Sequence, residues 1–162
     1  MSQKKYPERV KFFIADDVRA ENAAKPMVIG LFPDDIVVIR MHDNAPIPTA
    51  EKPLVLQGLA ILVSFIDCKG PFVLGASLYQ PDGSPMFENP EVDANIDIPN
   101  LSERGNINFN ARFTPFTMTS FGTYKFIVTL DNKKYPFEFK IERQALPPIA
   151  KLVAPTPPKK KK

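Results

Sequence analysis

The chain has 162 residues, 44% of them hydrophobic, with 13 phenylalanines and 18 prolines but a single cysteine and a single histidine. That length can bury one sizeable core, and a proline content well above the usual roughly 5% favours short strands and rigid turns over long helices. One Cys and one His exclude an intramolecular disulfide and a zinc centre; the net charge of +3 is carried by the end of the chain, where five lysines and no acid follow residue 144, so that −2 remains for the rest and a nucleic-acid-binding face gains no support.

Residues 1–7 are polar and are expected to be flexible. The opening segment MSQKKYPERVKFF has neither the apolar stretch nor the cleavage site of a secretory signal, which makes cytoplasmic residence the expectation. Val10 to Ala15 reads as a first strand ended by Asp16-Asp17, and 18–26 as a polar connection. Met27 to Phe32 reads as a second strand, stopped by Pro33-Asp34-Asp35. Ile36 to Met41 reads as a third. The segment 42–52 has loop composition and is long for a hairpin, so it is expected to carry the chain from one sheet to another.

Pro53 to Pro81 is the centre of the pattern: two apolar runs joined by Asp67-Cys68-Lys69-Gly70-Pro71, read as paired strands. The first run, Leu54 to Ile66, is too short to span a bilayer as a helix, and no transmembrane segment is expected. As a strand at about 3.3 Å per residue it would reach roughly 43 Å, which calls for a bend or bulge near Gly58. It is apolar on both faces. Val55, Leu59, Ile61, Val63 and Phe65 share one, and Leu54, Leu56, Ala60, Leu62 and Ile66 the other, unless the bulge switches them. One face enters the core, and Leu62 or Val63 on the other is a candidate contact for a second subunit or a partner protein.

Pro81-Asp82-Gly83-Ser84-Pro85 is a turn, Met86-Phe87 opens a short strand, and 88–105 holds a weak edge strand around Ile96 and Ile98. Ile107, Phe109, Ala111 and Phe113 alternate with polar residues before Pro115. A closing hairpin follows, with strands over Tyr124–Leu130 and Tyr135–Ile141. Residues 144–162 are expected to form a disordered Pro/Lys-rich tail.

The succession FFIADD, ENAAKPMVIGLF, LVSFIDCKGPFVLGASLYQPDG and FGTYKFIVTLDNKKYPFEFKI resembles a family of small bacterial proteins of unknown function, over residues 10–142. The resemblance implies a compact immunoglobulin-like fold and transfers no site. With the strand pattern, it makes the expected architecture an immunoglobulin-like antiparallel β-sandwich of about eight or nine strands over residues 8–143.

Residues that could carry chemistry are few. His42 beside Asp43 lies in a loop with no nucleophile motif near it, and Cys68 sits in a turn beside Lys69. Asp16, Asp17, Asp34, Asp35, Asp67, Asp82 and Asp131 stand at strand ends, the arrangement of a calcium-dependent C2-like domain but also that of ordinary strand terminators. No catalytic residue and no cofactor is expected. Lys159, Lys160, Lys161 and Lys162 could make weak, salt-sensitive contact with an anionic surface. The expected function is a non-enzymatic binding or structural module acting through protein association, with itself or within an assembly of bacterial or phage origin. The alternative is a C2-like peripheral domain using calcium or anionic surfaces.

Overall fold

The computed structural model describes residues 4–20, 26–96 and 105–146. Among them the chain is all-β, with one 3₁₀ turn at Pro33–Asp35. The strands are β1 (Arg9–Ala20), β2 (Pro26–Leu31), β3 (Ile36–Met41), β4 (Leu54–Leu56), β5 (Leu59–Ile66), β6 (Phe72–Tyr79), β7 (Pro85–Ile96), β8 (Ile107–Phe113), β9 (Phe116–Met118), β10 (Gly122–Leu130) and β11 (Lys133–Ala145). One sheet has the order β2-β1-β5-β8. A second has the order β3-β11-β10-β6-β7, and β4 pairs with β9 alone. Every pair is antiparallel except β3 with β11.

The two large sheets bury one apolar cluster. Ile14, Ile61, Val63, Phe65 and Ala111 enter it from the first sheet; Leu74, Leu78, Tyr124, Phe126, Val128, Phe139 and Ile141 enter it from the second. Aromatic pairs cross the interface: Phe12 stacks on Phe137 with centroids 4.8 Å apart, and Phe113 meets Phe126 edge-on at 6.3 Å. The alternation along β1, β8, β10 and β11 positions these rings, because alternate side chains share a face.

The long apolar run breaks at Gln57-Gly58, between β4 and β5. Leu54 and Leu56 turn toward the main core while Val55 is exposed; past the break it is Leu59, Ile61, Val63 and Phe65 that turn inward. Gly58 thus marks the switch of faces. A Cβ there would stand 3.3 Å from Thr114 Oγ1 and 3.5 Å from the Asp16 carbonyl oxygen.

The two halves of Pro53 to Pro81 are not partners. β5 lies between β1 and β8, and β6 lies between β10 and β7, so the turn after Ile66 carries the chain across the core to the other sheet. The outer face of β5 is covered from within the chain. Ala60 and Leu62 form a second cluster with Ala15 and Val18, against which Phe13 and Val28 pack.

β1 does not stop at Asp16-Asp17 but continues to Ala20, paired with β2. Its pairing with β5 ends at Ala15 opposite Ala60. Beyond that point the Val18 carbonyl accepts hydrogen bonds from Asn110 Nδ2 (2.9 Å) and Arg112 (2.7 Å) of β8, although β5 separates β1 from β8 in the sheet. The second half of β1 therefore swings across the outside of β5.

At one end of the molecule, residues 4–8 are tied down rather than loose. Lys5 bridges Lys69 through two backbone hydrogen bonds of 2.7 and 2.9 Å, and the Glu8 amide donates to the Ile66 carbonyl. The weak edge strand expected within 88–105 is the far half of β7 as far as Ile96; Ile98 lies outside the described residues. The segment 42–52 does lead from the second sheet toward the first, by way of β4.

Candidate functional site

Two consecutive strands are outermost in their sheets on one side of the molecule. β2 is the edge of the first sheet, and the chain crosses through Pro33–Asp35 to β3, the edge of the second. Each has a neighbour on one side only, so a row of backbone N–H and C=O groups on each has no strand beside it. Met27 and Leu31 of β2 are 41% and 54% exposed, and Val38 of β3 is 44% exposed.

A cleft of about 720 Å³ opens along this side. Its β3 wall is four consecutive residues, Val37 to Arg40. Since alternate side chains of a strand point opposite ways, a wall of consecutive residues is the strand's backbone edge. Asp16, Asp17 and Arg19 of β1, Leu56 to Leu59 at the β4–β5 break, and Arg112 of β8 complete most of the lining.

The charges within it are unevenly satisfied. Asp17 holds Arg19 Nε at 2.8 Å with one oxygen and Arg112 at 2.8 Å with the other. The Arg19 hydrogen bond, with the Arg112 and Arg19 charges, keeps the Asp17 carboxyl below its usual range. Asp16 makes no ion pair among the described residues. Its carboxylate lies over Gly30, where a Cβ would stand 2.0 Å from Oδ2, and Gly30 adopts φ +65°. Beyond the cleft, Asp34 and Asp35 are exposed at the crossing turn with φ near +58° and +56° and no cation beside them among the described residues. Desolvation, and then the charge of Asp34, push the Asp35 carboxyl up.

The residues singled out from sequence are dispersed. Leu62 is 4% exposed beneath the β1–β2 hairpin and Val63 is wholly within the inter-sheet core, so neither side chain is at the surface. Lys159, Lys160, Lys161 and Lys162 lie outside the described residues. His42 contributes its carbonyl oxygen to Arg143, at 2.7 Å. Cys68 is buried, its thiol 3.4 Å from the Gly105 carbonyl oxygen, and burial pushes that thiol up.

The remaining aspartates serve separate turns. Asp67 pairs with Lys5 at 2.5 Å, Asp82 accepts from the Ser84 amide at 2.8 Å, and Asp131 accepts from the Val73 amide at 3.0 Å. Among the described residues no three His, Cys, Asp or Glu side chains lie together as a metal-binding group would, and no helix is long and apolar enough to cross a membrane.

Sequence reasoning passed over Met27, Leu31 and Val38 because an apolar residue on an edge strand reads like one on a central strand. The signal that was available is Gly30 inside an apolar run, a mark of local distortion.

The sequence model of a family of unknown function, DUF6941, matches residues 11–138, and the chain belongs to that family. No curated protein and no solved structure matches the chain.

Proposed function

We propose that this chain is a non-enzymatic immunoglobulin-like module that works by protein association, and that β2 and β3 form its contact surface. The observation that carries the reading is the run of two successive free-edge strands bearing exposed Met27, Leu31 and Val38. An unprotected edge with apolar side chains is a template for pairing with another chain, its main-chain groups supplying affinity and its side chains selectivity.

The immunoglobulin-like type is supported by two features. One is the partition of strands, with β1, β5 and β8 facing β6, β10 and β11 and the last strand joined in parallel by β3. The other is Tyr124, near the start of β10, whose hydroxyl donates to the Ser120 carbonyl four residues upstream at 2.6 Å. That is the arrangement of a tyrosine corner.

Sedimentation at micromolar concentration tests the reading. Wild type is expected to associate, and Leu31→Lys and Val38→Lys to weaken association by about tenfold or more while leaving the circular dichroism and melting temperature nearly unchanged, because both side chains are at the surface. A monomeric wild type, or variants that associate as the wild type does, would refute it.

A further inference from the structure

The β3 edge has the dimensions of one further strand, and the sequence contains a segment that fits it. β3 is six residues long. The last sixteen residues, 147–162, contain one proline-free stretch of more than four residues, Ile149-Ala150-Lys151-Leu152-Val153-Ala154, which is also six residues long and has prolines on both sides. Proline cannot donate to a ladder, so this stretch is the part of the segment able to add to a sheet edge over its whole length.

The chain reaches the described end at Leu146, whose amide donates to the Met41 carbonyl at 3.0 Å. The segment therefore starts at the far end of β3 itself. To lie along the free edge of its own β3 it would have to reverse within Pro147-Pro148 and cross the chain leaving Met41. Two prolines favour an extended exit instead. A second copy imposes no such reversal.

The charges are complementary between copies and not within the segment. Five lysines follow residue 144, against a net −2 for the rest of the chain. We propose that the free side of β3 receives residues 149–154 of a second copy of this chain as an added antiparallel strand, with Lys151 directed to Asp16 and the tract Lys159 to Lys162 carried past the start of β3 to Asp34-Asp35. Both acceptors lack a cation among the described residues: Asp16 lies in the cleft over Gly30, and the Asp34-Asp35 pair stands at the turn that precedes β3. In the antiparallel direction Ile149 comes first, near Met41, and the lysines come last, near Pro33–Asp35. The apolar members of the stretch meet Val38 and Leu56 of the cleft. Mutual exchange of the segment closes two copies into a symmetric pair.

The inference rests on association through the β2–β3 side, and the experiment separates the two. Full-length chain carrying both Leu152→Pro and Val153→Pro keeps its body intact but loses a ladder donor in either register, since of two consecutive amides one faces β3. It is expected to sediment with a dissociation constant raised about tenfold or more. Lys151→Glu and Asp16→Lys are each expected to weaken association, and an equimolar mixture of those two chains to recover it, since each supplies the charge that the other lacks. Hydrogen exchange of the wild type should show amides 149–154 protected in proportion to concentration. Association unchanged in the double-proline chain but lost in Leu31→Lys and Val38→Lys would overturn the inference and leave the association reading standing with another occupant. A wild type that is monomeric throughout ends both. Protection of 149–154 independent of concentration in a monomer would place the segment on its own β3 and overturn the second copy.

Discussion

The end of the molecule that holds residues 4–8 and the side formed by β2 and β3 are built from similar residues and finished in opposite ways. At the first, almost every charge has a partner. Asp131 accepts from the Val73 amide, from Lys4 at 3.0 Å and from the Tyr6 hydroxyl at 3.0 Å, while Tyr6 packs on Phe72 with centroids 5.2 Å apart. Lys5 holds Asp67, and the Cys68 amide donates to the Gly105 carbonyl at 2.7 Å. The Tyr135 hydroxyl is the one buried side-chain polar atom without a partner among the described residues. On the β2–β3 side, Asp16, Asp34 and Asp35 have no counter-charge among the described residues, two strand edges are open, and three apolar side chains face outward. The first surface uses its hydrogen-bonding groups within the fold, whereas the second leaves strand-edge groups and carboxylates without a partner among the described residues.

Five substitutions sharpen that contrast, taken from the largest effect down. Phe126→Ala removes a wholly buried ring on which both regions depend and is expected to cost about 3–5 kcal/mol by urea midpoint. Leu62→Ala, in β5, strips the cover beneath the β1–β2 hairpin and is expected to cost about 2–4 kcal/mol, whereas Leu31→Ala, on the hairpin itself but exposed, should stay within about 0.5 kcal/mol. Equal losses at the two leucines would mean that the hairpin has no uncovered side.

Asp131→Asn keeps the shape and deletes the charge of the finished end. The Val73 amide, then Lys4 and Tyr6, hold the Asp131 carboxyl below its ordinary range, so the folded chain favours the ionised form. The stability this adds is fully present above the unfolded carboxylate pKa of about 3.9 and is lost as pH falls through the lower folded value. The variant is expected to be about 1 kcal/mol less stable at pH 7, and the gap to close in acid. A gap independent of pH would remove the charge from the explanation.

Asp35→Asn should act in the opposite direction. Desolvation and Asp34 raise the Asp35 carboxyl, so the folded chain favours the protonated form, and stability rises as pH falls through the raised folded value. At pH 7, and dilute enough for the chain to be dissociated, the variant is expected to be more stable by a few tenths of a kcal/mol, the scale of an exposed charge contact, with Asn tolerating the positive φ at this position. A loss of stability would mean that the Asp35 carboxylate already has a partner.

Much of the architecture was legible along the chain, because side-chain alternation is a local property. Ile107 to Phe113 and the hairpin through Asp131-Asn132 declared their inward faces by period two, and Gly58 announced the break in the long apolar run. That run also declared that both its faces need cover, since Leu62 and Val63 are both apolar. The sequence could not say what covers them, and the answer came from Val18 and Val28, more than thirty residues away. Pairing was equally out of reach: β5 and β6 are neighbours in the chain but belong to different sheets, and β3 joins β11 across about a hundred residues. An edge strand and a central strand have the same composition, so only the assembled sheets decided that β2 and β3 would be left open. What the sequence determined by itself was each strand's amphipathic pattern, set by neighbours two residues apart. Which strands meet, and which edges remain free, was decided by tertiary packing, where the partner of each backbone group lies far away in the chain.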